Sequence, residues 1–262
     1  MKFDLVIAGV GGQGVLSIAW VLDHAAHEAG LYLKQSEVHG MAQRGGAVSA
    51  FLRISDQPIS SVLIAQGSAD LLMSVEPLEA LRYTQLLKPS GWIVSDVTPM
   101  RNVPNYPAMS DLTQVLFGAP SLVAVDATRL AHKAGTIKAQ NMVVLGAAAM
   151  HLPLPGELLE KHIVALFARK GERIVNANVH AFRKGDSASR FTSALLAAGI
   201  AGDLIAKVVT KVHFPPHPVA PDVLAAWAQR LRSPGAAQLI QGLQEHDDLT
   251  RLATHAELAN QP

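Results

Sequence analysis

The chain has 262 residues, 49% of them hydrophobic, enough to bury a substantial core in one large domain or in one domain with an appendage. A formal charge of +1 with no lysine or arginine run argues against a nucleic-acid surface, and the absence of cysteine excludes disulfides, cysteine-held iron–sulfur clusters and cysteine–zinc sites on this chain. The longest apolar stretch, Met142 to Met150, falls far short of the roughly 20 residues that span a bilayer, and the N-terminus lacks the basic start of a signal peptide, so a cytoplasmic protein without a membrane partner is expected.

The first element is a strand, since Leu5 to Ala8 is an uninterrupted apolar run of the kind buried on both faces of a parallel sheet. Gly9, Gly11 and Gly14 follow in G-x-G-x-x-G register. Val15, Ile18, Ala19, Leu22, Ala25, Ala26 and Ala29 then recur at helical spacing up to Gly30, a residue suited to a left-handed cap. Strand, tight turn and helix make the loop Gly9, Gly11, Gly12, Gln13 and Gly14 a candidate anion cradle, because unpaired N–H groups point outward at a helix N-terminus. A nicotinamide dinucleotide would further require an acidic residue closing the second strand. That strand is expected over Leu31 to Ser36, with Glu37 slightly late. The same glycines also serve close packing or another anion, and the choice stays open at this point.

Ser36-Glu-Val-His-Gly-Met-Ala-Gln-Arg-Gly-Gly46 follows no helical or strand period and reads as an ordered loop at the carboxyl end of the second strand. Glu37, His39, Gln43 and Arg44 on this loop are candidates for meeting a polar ligand or a partner subunit. Arg44 is followed by two glycines that free the backbone to bring its charge close to a carboxylate or phosphate. Ala47 to Ile54 and Ile59 to Ile64 are expected to form an antiparallel hairpin about Ser55-Asp-Gln-Pro58.

Asp70 to Val75 predicts the next strand, and Pro77 opens a helix carrying Leu78, Leu81, Leu86 and Leu87 that Lys88-Pro-Ser-Gly91 should stop. Trp92 to Ser95 and Leu122 to Val125 are further strands, separated by a proline-rich irregular segment from Asp96 to Pro107. Helices are predicted over Thr128 to Ala134, Ile137 to His151, Leu158 to Arg169 and Glu172 to Arg183, with Asn141 to Met150 apolar nearly all round and therefore buried. Beyond Gly185, Phe191 to Val209, a proline-rich linker Phe214 to Pro221 and two short helices form an extension. The fold class is therefore α/β, with a Rossmann-like mostly parallel sheet, a β-hairpin and flanking helices, divided into a domain over 1–185 and a helical extension over 186–262.

Other chemistry is poorly supported. His24 and His27 lie with Asp23 and Glu28 opposite the apolar stripe of their helix, a solvated face, and no metal site is expected. No G-x-S-x-G occurs, and Ser36 and Ser95 have no assignable partner. Glu76 and Glu79 at i, i+3 suit a helix N-terminus better than an acid–base pair.

Taken together, Gly9-Val-Gly-Gly-Gln-Gly-Val15, the segment Ser36 to Gly46, Glu76-Pro-Leu-Glu-Ala-Leu-Arg82, Asn141-Met and Asn178-Val-His-Ala-Phe-Arg-Lys-Gly185 resemble the gamma-type subunits of 2-oxoacid:ferredoxin oxidoreductases. The beta subunits of indolepyruvate ferredoxin oxidoreductases are the branch most like it. The resemblance implies an α/β domain inside a larger enzyme. A large partner subunit there binds thiamine diphosphate and magnesium, oxidatively decarboxylates the 2-oxoacid, and passes electrons through iron–sulfur clusters to ferredoxin, while coenzyme A takes the acyl group. Glu37, His39 and Arg44 would then face the partner's active site, and the glycine loop would share coenzyme A. The competing expectation is a stand-alone Rossmann-type NAD-dependent oxidoreductase using the same loop.

Overall fold

The computed structural model describes residues 1–40, 45–101, 103–244 and 248–249, and its sheet is built outward from the first strand. β1 (Lys2–Val10) holds Leu5, Val6, Ile7 and Ala8 with no exposed surface, covered on both faces as the apolar run requires. To one side it pairs in parallel with β4 (Ala69–Ser74), and the parallel pairing continues through β5 (Leu87–Asp96) to β6 (Leu122–Val125). To the other side it pairs antiparallel with β3 (Ala47–Ser55), which pairs antiparallel with the edge strand β2 (Tyr32–His39). The order is β2-β3-β1-β4-β5-β6.

The hairpin is therefore made by different strands from those expected. Tyr32 lies opposite Ser55 and His39 opposite Val48, whereas Ile59 to Ile64 forms no strand. The cause is Arg53. Its guanidinium grips Asp4 with two bonds of 2.6 and 3.0 Å and donates to the carbonyls of Ser61 (2.8 Å) and Leu63 (2.9 Å). The backbone of that segment is satisfied by a side chain in place of a ladder. The segment from Ser36 to His39, expected as loop, is the last half of β2.

α1 (Val15–Glu28) buries Ile18, Leu22, Ala25 and Ala26, the predicted stripe, and Gly30 takes φ +71° after it. α2 (Pro77–Arg82) is shorter than the leucine pattern suggested. Leu87 opposes Ala69 across the sheet, so Leu87 to Gly91 belongs to β5 and contains a register shift. A Cβ on Gly91 would stand 2.6 Å from the Leu87 side chain, which is why this irregularity carries a glycine. α3 (Met109–Phe117), unforeseen because it is short and follows the segment with Pro99, Pro104 and Pro107, buries Leu112 and Leu116.

α4 (Ala127–Ala134), α5 (Gln140–Ala148) and α6 (Gly156–Phe167) match the expected helices, with short 3-10 turns flanking α5. α7 (Glu172–Ala197) does not stop at Arg183. It runs straight through Gly185, so the boundary drawn there falls inside a helix. Glycines set its approach to α5: a Cβ on Gly146 would lie 1.8 Å from the Phe182 carbonyl oxygen, and one on Gly185 2.0 Å from that of Val143. Past α7 come α8 (Gly202–Val209), α9 (Pro221–Arg232) and α10 (Ala236–Gly242). Phe191, Phe214 and Trp227 are buried against one another in edge-to-face contacts, within the same continuous core as Leu5 and Ile7 of β1. The extension is thus packed into the core of the domain it follows. No described helix is long and apolar enough to cross a membrane.

Candidate functional site

The glycine loop joins β1 to α1 at the carboxyl edge of the sheet, beside β4, where the strand order turns about β1. Its glycines have separate duties. A Cβ on Gly9 would stand 2.3 Å from the Val75 side chain, so that position serves helix–strand packing. Gly14, at φ +82°, caps α1 without a side chain, and a Cβ there would meet the Asn141 carboxamide at 2.4 Å. Gly12 alone combines a positive φ, +103°, with open space around its missing Cβ. Gln13 is buried, and its carboxamide ties the loop together: Oε1 accepts from Val10 N–H (2.8 Å) and Nε2 donates to the Val75 carbonyl (2.8 Å). That side chain holds the loop's shape, as does the Gln13 N–H, which donates to the Val10 carbonyl at 3.0 Å.

The β2–β3 hairpin comes back onto this loop. Gly11 N–H donates to the Gly46 carbonyl at 2.8 Å, and Gly45 N–H to the Gly11 carbonyl at 3.5 Å. Gly11 and Gly46, 35 positions apart in sequence, are in this way made neighbours. His39 lines a cavity of about 540 Å³ together with Val10, Gly11, Gly12, Leu16 and Val48. Glu37, two residues back on the same face of β2, accepts from Gln35 Nε2 (3.2 Å) and meets His39 Nε2 at 3.1 Å. Gln43 and Arg44 lie outside the described residues.

On the other side of Gly12 is a more polar cavity of about 590 Å³, lined by Ser17, Thr128, Thr136, Lys138, Asn141, Lys170 and Asn178 among others. The first turns of α1, α4, α5 and α7 all contribute to it, so several helix N-termini and two lysines share one space. Sequence reasoning did not assign these lysines. They sit in two short polar connections, before α5 and before α7, where ordinary surface content hides them. A third, larger cavity of about 730 Å³ lies between α6 and α7, away from the glycine loop. Two ion pairs lie in its lining, Arg183 with Glu160 and Arg190 with Asp186, while Lys161 pairs outside it with Glu28.

The carboxylates set aside as structural are so placed. Glu76 is fully buried and caps α2, its Oε2 accepting from Glu79 N–H at 2.8 Å while Oε1 accepts from Met100 N–H and from the Tyr106 hydroxyl. Burial raises the Glu79 carboxyl above its ordinary range against the pull of Arg82. Asp96, at the end of β5, is wholly buried and accepts from Thr98 N–H and Ala127 N–H, both at 3.0 Å. Burial pushes its pKa up to about 7. Among the described residues no group of three or more His, Asp or Glu could hold a metal ion.

The geometry also removes the NAD reading. A nicotinamide fold wants a parallel second strand beside the first, with an acid at its end for the ribose. Here β3 separates β2 from β1, β2 runs antiparallel to it at the sheet edge, and Glu37 is spent within β2 on Gln35 and His39.

A family model described as pyruvate ferredoxin/flavodoxin oxidoreductase matches residues 4–188. The indolepyruvate oxidoreductase subunit IorB of Thermococcus kodakarensis is 34% identical over 200 residues, covering 72% of this chain and 96% of that protein. The subunit of the same name from Methanothermobacter thermautotrophicus is 35% identical over 198 residues, covering 72% of this chain and 98% of its own length. Among solved structures, the gamma subunit of a keto/oxoacid ferredoxin oxidoreductase from Geobacter sulfurreducens superposes with a TM-score of 0.53 at 26% identity, over 71% of this chain and 98% of that one. A 2-oxoglutarate:ferredoxin oxidoreductase from Magnetococcus marinus, with 2-oxoglutarate, coenzyme A and succinyl-CoA bound, superposes with a TM-score of 0.58 at 19% identity, over 84% of this chain. Against that last structure this chain spans about a third, 33%, of the neighbour's length, and the likeness is one of fold.

Proposed function

The chain belongs to the pyruvate ferredoxin/flavodoxin oxidoreductase family, and from that premise we propose that it is the subunit without thiamine of an indolepyruvate, or more broadly arylpyruvate, oxidoreductase. The observation that carries the reading is the junction of glycine loop and hairpin, inside a chain that covers nearly the whole length of relatives named for that activity. In this reading a large partner subunit holds thiamine diphosphate, magnesium and the iron–sulfur clusters, passes electrons to ferredoxin and transfers the acyl group to coenzyme A. The residues of this chain do not fit those metal groups, since it has no cysteine and its described residues contain no metal-binding cluster.

What this chain contributes is binding and positioning. The N–H groups at the start of α1, opened by Gly12, face an anion such as the pyrophosphate of coenzyme A, with Lys138 and Lys170 supplying countercharge from the polar cavity. The apolar cavity on the other side of Gly12 presents His39, oriented by Glu37, toward the partner. Arg44 is proposed, from its sequence alone, to meet a carboxylate or phosphate of the partner's site. The complex is taken to be cytoplasmic.

The test is copurification of the tagged chain with its partner, followed by arylpyruvate-dependent dye reduction with and without coenzyme A. The complex is expected to turn over and the lone chain to be inactive. Turnover by the pure chain supplied with thiamine diphosphate and magnesium would overturn the reading.

A further inference from the structure

Lys184 belongs to the last of the motifs that carry the resemblance, Asn178 to Gly185, and has so far no chemical role. α7 sets it half-buried in a cavity of about 370 Å³ that it shares with Lys133, from the last turn of α4. The rest of the lining comes from the extension: His213, Phe214, Pro215, Pro216 and Asp248. Those residues lie beyond the ones matched by the family model, 4–188, so the cavity is formed where the extension packs onto the family domain. The extension's side of it is fixed. The Phe214 ring is buried against Phe191, and a β-bridge ties His213 to Asp248.

The two amines are held differently. Lys184 Nζ donates to the Phe214 carbonyl at 2.6 Å, which localises an amine that would otherwise sweep through solvent on its four-carbon stem. Lys133 is exposed. With one carboxylate for two lysines, the lining carries net positive charge. Burial and Lys133 hold the Lys184 amine below the ordinary lysine range, against the pull of Asp248. A desolvated amine beside a second cation is the arrangement that makes the neutral, nucleophilic form available. Such an amine attacks a carbonyl carbon, and the neighbouring cation suits a carboxylate on the same molecule. A 2-oxoacid meets both demands, because its carbonyl carbon is bonded to its carboxylate. A phosphate has no carbon to attack, and a plain aldehyde has no charge to bind.

We propose that this cavity is a site for a small 2-oxoacid, in which Lys133 binds the carboxylate and Lys184 captures the adjoining carbonyl carbon as an imine. The lone pair of the neutral Lys184 amine forms the C–N bond while the C=O pair moves to oxygen. Both amine protons then pass to that oxygen, which leaves as water. Every residue the proposal uses is on this chain, so it stands whether or not the subunit reading above does.

The experiment treats the full-length chain with glyoxylate, the smallest 2-oxoacid, or with acetaldehyde, an uncharged aldehyde of similar size. Cyanoborohydride reduces any imine to a stable amine, and peptide mass spectrometry then maps the labelled lysines. A cleft lined by one sign of charge raises the local concentration of a counter-ion about tenfold or more. Glyoxylate is therefore expected to label Lys184 about tenfold faster than the exposed Lys34 and Lys207, and acetaldehyde to show a smaller preference. Lys133→Gln changes an exposed residue and should cut glyoxylate labelling of Lys184 about tenfold while cutting acetaldehyde labelling less. Uniform labelling of the lysines, an equal preference of both reagents for Lys184, or a Lys133→Gln variant in which both reagents change alike would overturn the proposal. The comparison of the two reagents in wild type requires no variant to fold.

Discussion

Replacing Trp227 by alanine tests whether the extension and the sheet form one cooperative unit. The indole is fully buried, packs edge-to-face on Phe191 with ring centroids 6.2 Å apart, and donates from Nε1 to the Leu249 carbonyl at 3.2 Å. Truncating a buried tryptophan costs about 3–5 kcal/mol in transfer and cavity terms. For a chain of this size each kcal/mol lowers the melting temperature by about 2–4 °C, so a fall of about 6–20 °C is expected. Trp20 and Trp92, the other two tryptophans, lie against His24 and His151 in the body of the domain and remain as reporters. In Trp227→Ala, calorimetry and fluorescence of those two residues should show one transition, shifted by the same amount. Two transitions, with the one reported by Trp20 and Trp92 left where it was, would refute the shared core and restore the extension to an independent appendage.

Gly146→Ala and Gly185→Ala should each lower the unfolding free energy measured in urea by an amount at or above the top of the usual overpacking range, about 3 kcal/mol, because the added carbon would meet backbone carbonyl oxygens at 1.8 and 2.0 Å and only separation of α5 from α7 relieves it; a stability like that of wild type would refute the contact. Gly12→Ala adds a methyl into open space, so its cost is conformational, about 1–2 kcal/mol, and the KM for coenzyme A in the assembled complex should rise more than the melting temperature falls. An unchanged KM would leave Gly12 a turn former only. Asp96 has its folded pKa raised from 3.8 to about 7, so the native state holds a proton that the unfolded chain releases, and stability falls as pH rises from about 4 to about 7. Asp96→Asn should therefore raise the melting temperature at pH 8 and lose that advantage toward pH 4; a constant difference across the range would show that Asp96 is not the titrating group. His151, lowered by burial to about 4 and stacked on Trp92, acts in the opposite sense, its stability contribution being lost as pH falls from 6.5 toward 4.

The parts of the fold that could be read from sequence are those in which one physical cause dominates. β1, α1, β6 and α4 follow apolar runs or stripes whose burial outweighs every local alternative, and all four stand where the pattern put them. The misreadings have a common origin in long-range polar or backbone contacts that leave no local period. Ile59 to Ile64 has the composition of a strand, but Arg53 takes its carbonyls; Leu87 has the spacing of a helix, but Ala69 holds it in the sheet. The pattern ends α7 at Arg183, whereas the helix runs on to Ala197 through Gly185, whose missing side chain is what lets α5 approach.

The candidate site shows the same division at finer scale. G-x-G-x-x-G names one loop, yet Gly9 is required by Val75 and Gly14 by Asn141 and by its own φ, while Gly12, outside the fingerprint, faces open space. A fingerprint therefore locates a strand–turn–helix junction and leaves its ligand undetermined, since packing alone accounts for two of its glycines. What gives the junction chemical character comes from elsewhere in the chain. The period of two along β2 sets Glu37 and His39 on one face, the hairpin pairing carries His39 to the loop, and the start of α5 with the short turns before α5 and α7 brings Asn141, Lys138 and Lys170 to its other side. Each of these residues is ordinary in its local context, a polar residue in an edge strand, at a helix start or in a short connection. Their convergence depends on β3 lying antiparallel between β2 and β1, and that placement also withdraws Glu37 from a nicotinamide ribose. One strand placement thus both closes the dehydrogenase reading and builds the face that a partner subunit would meet.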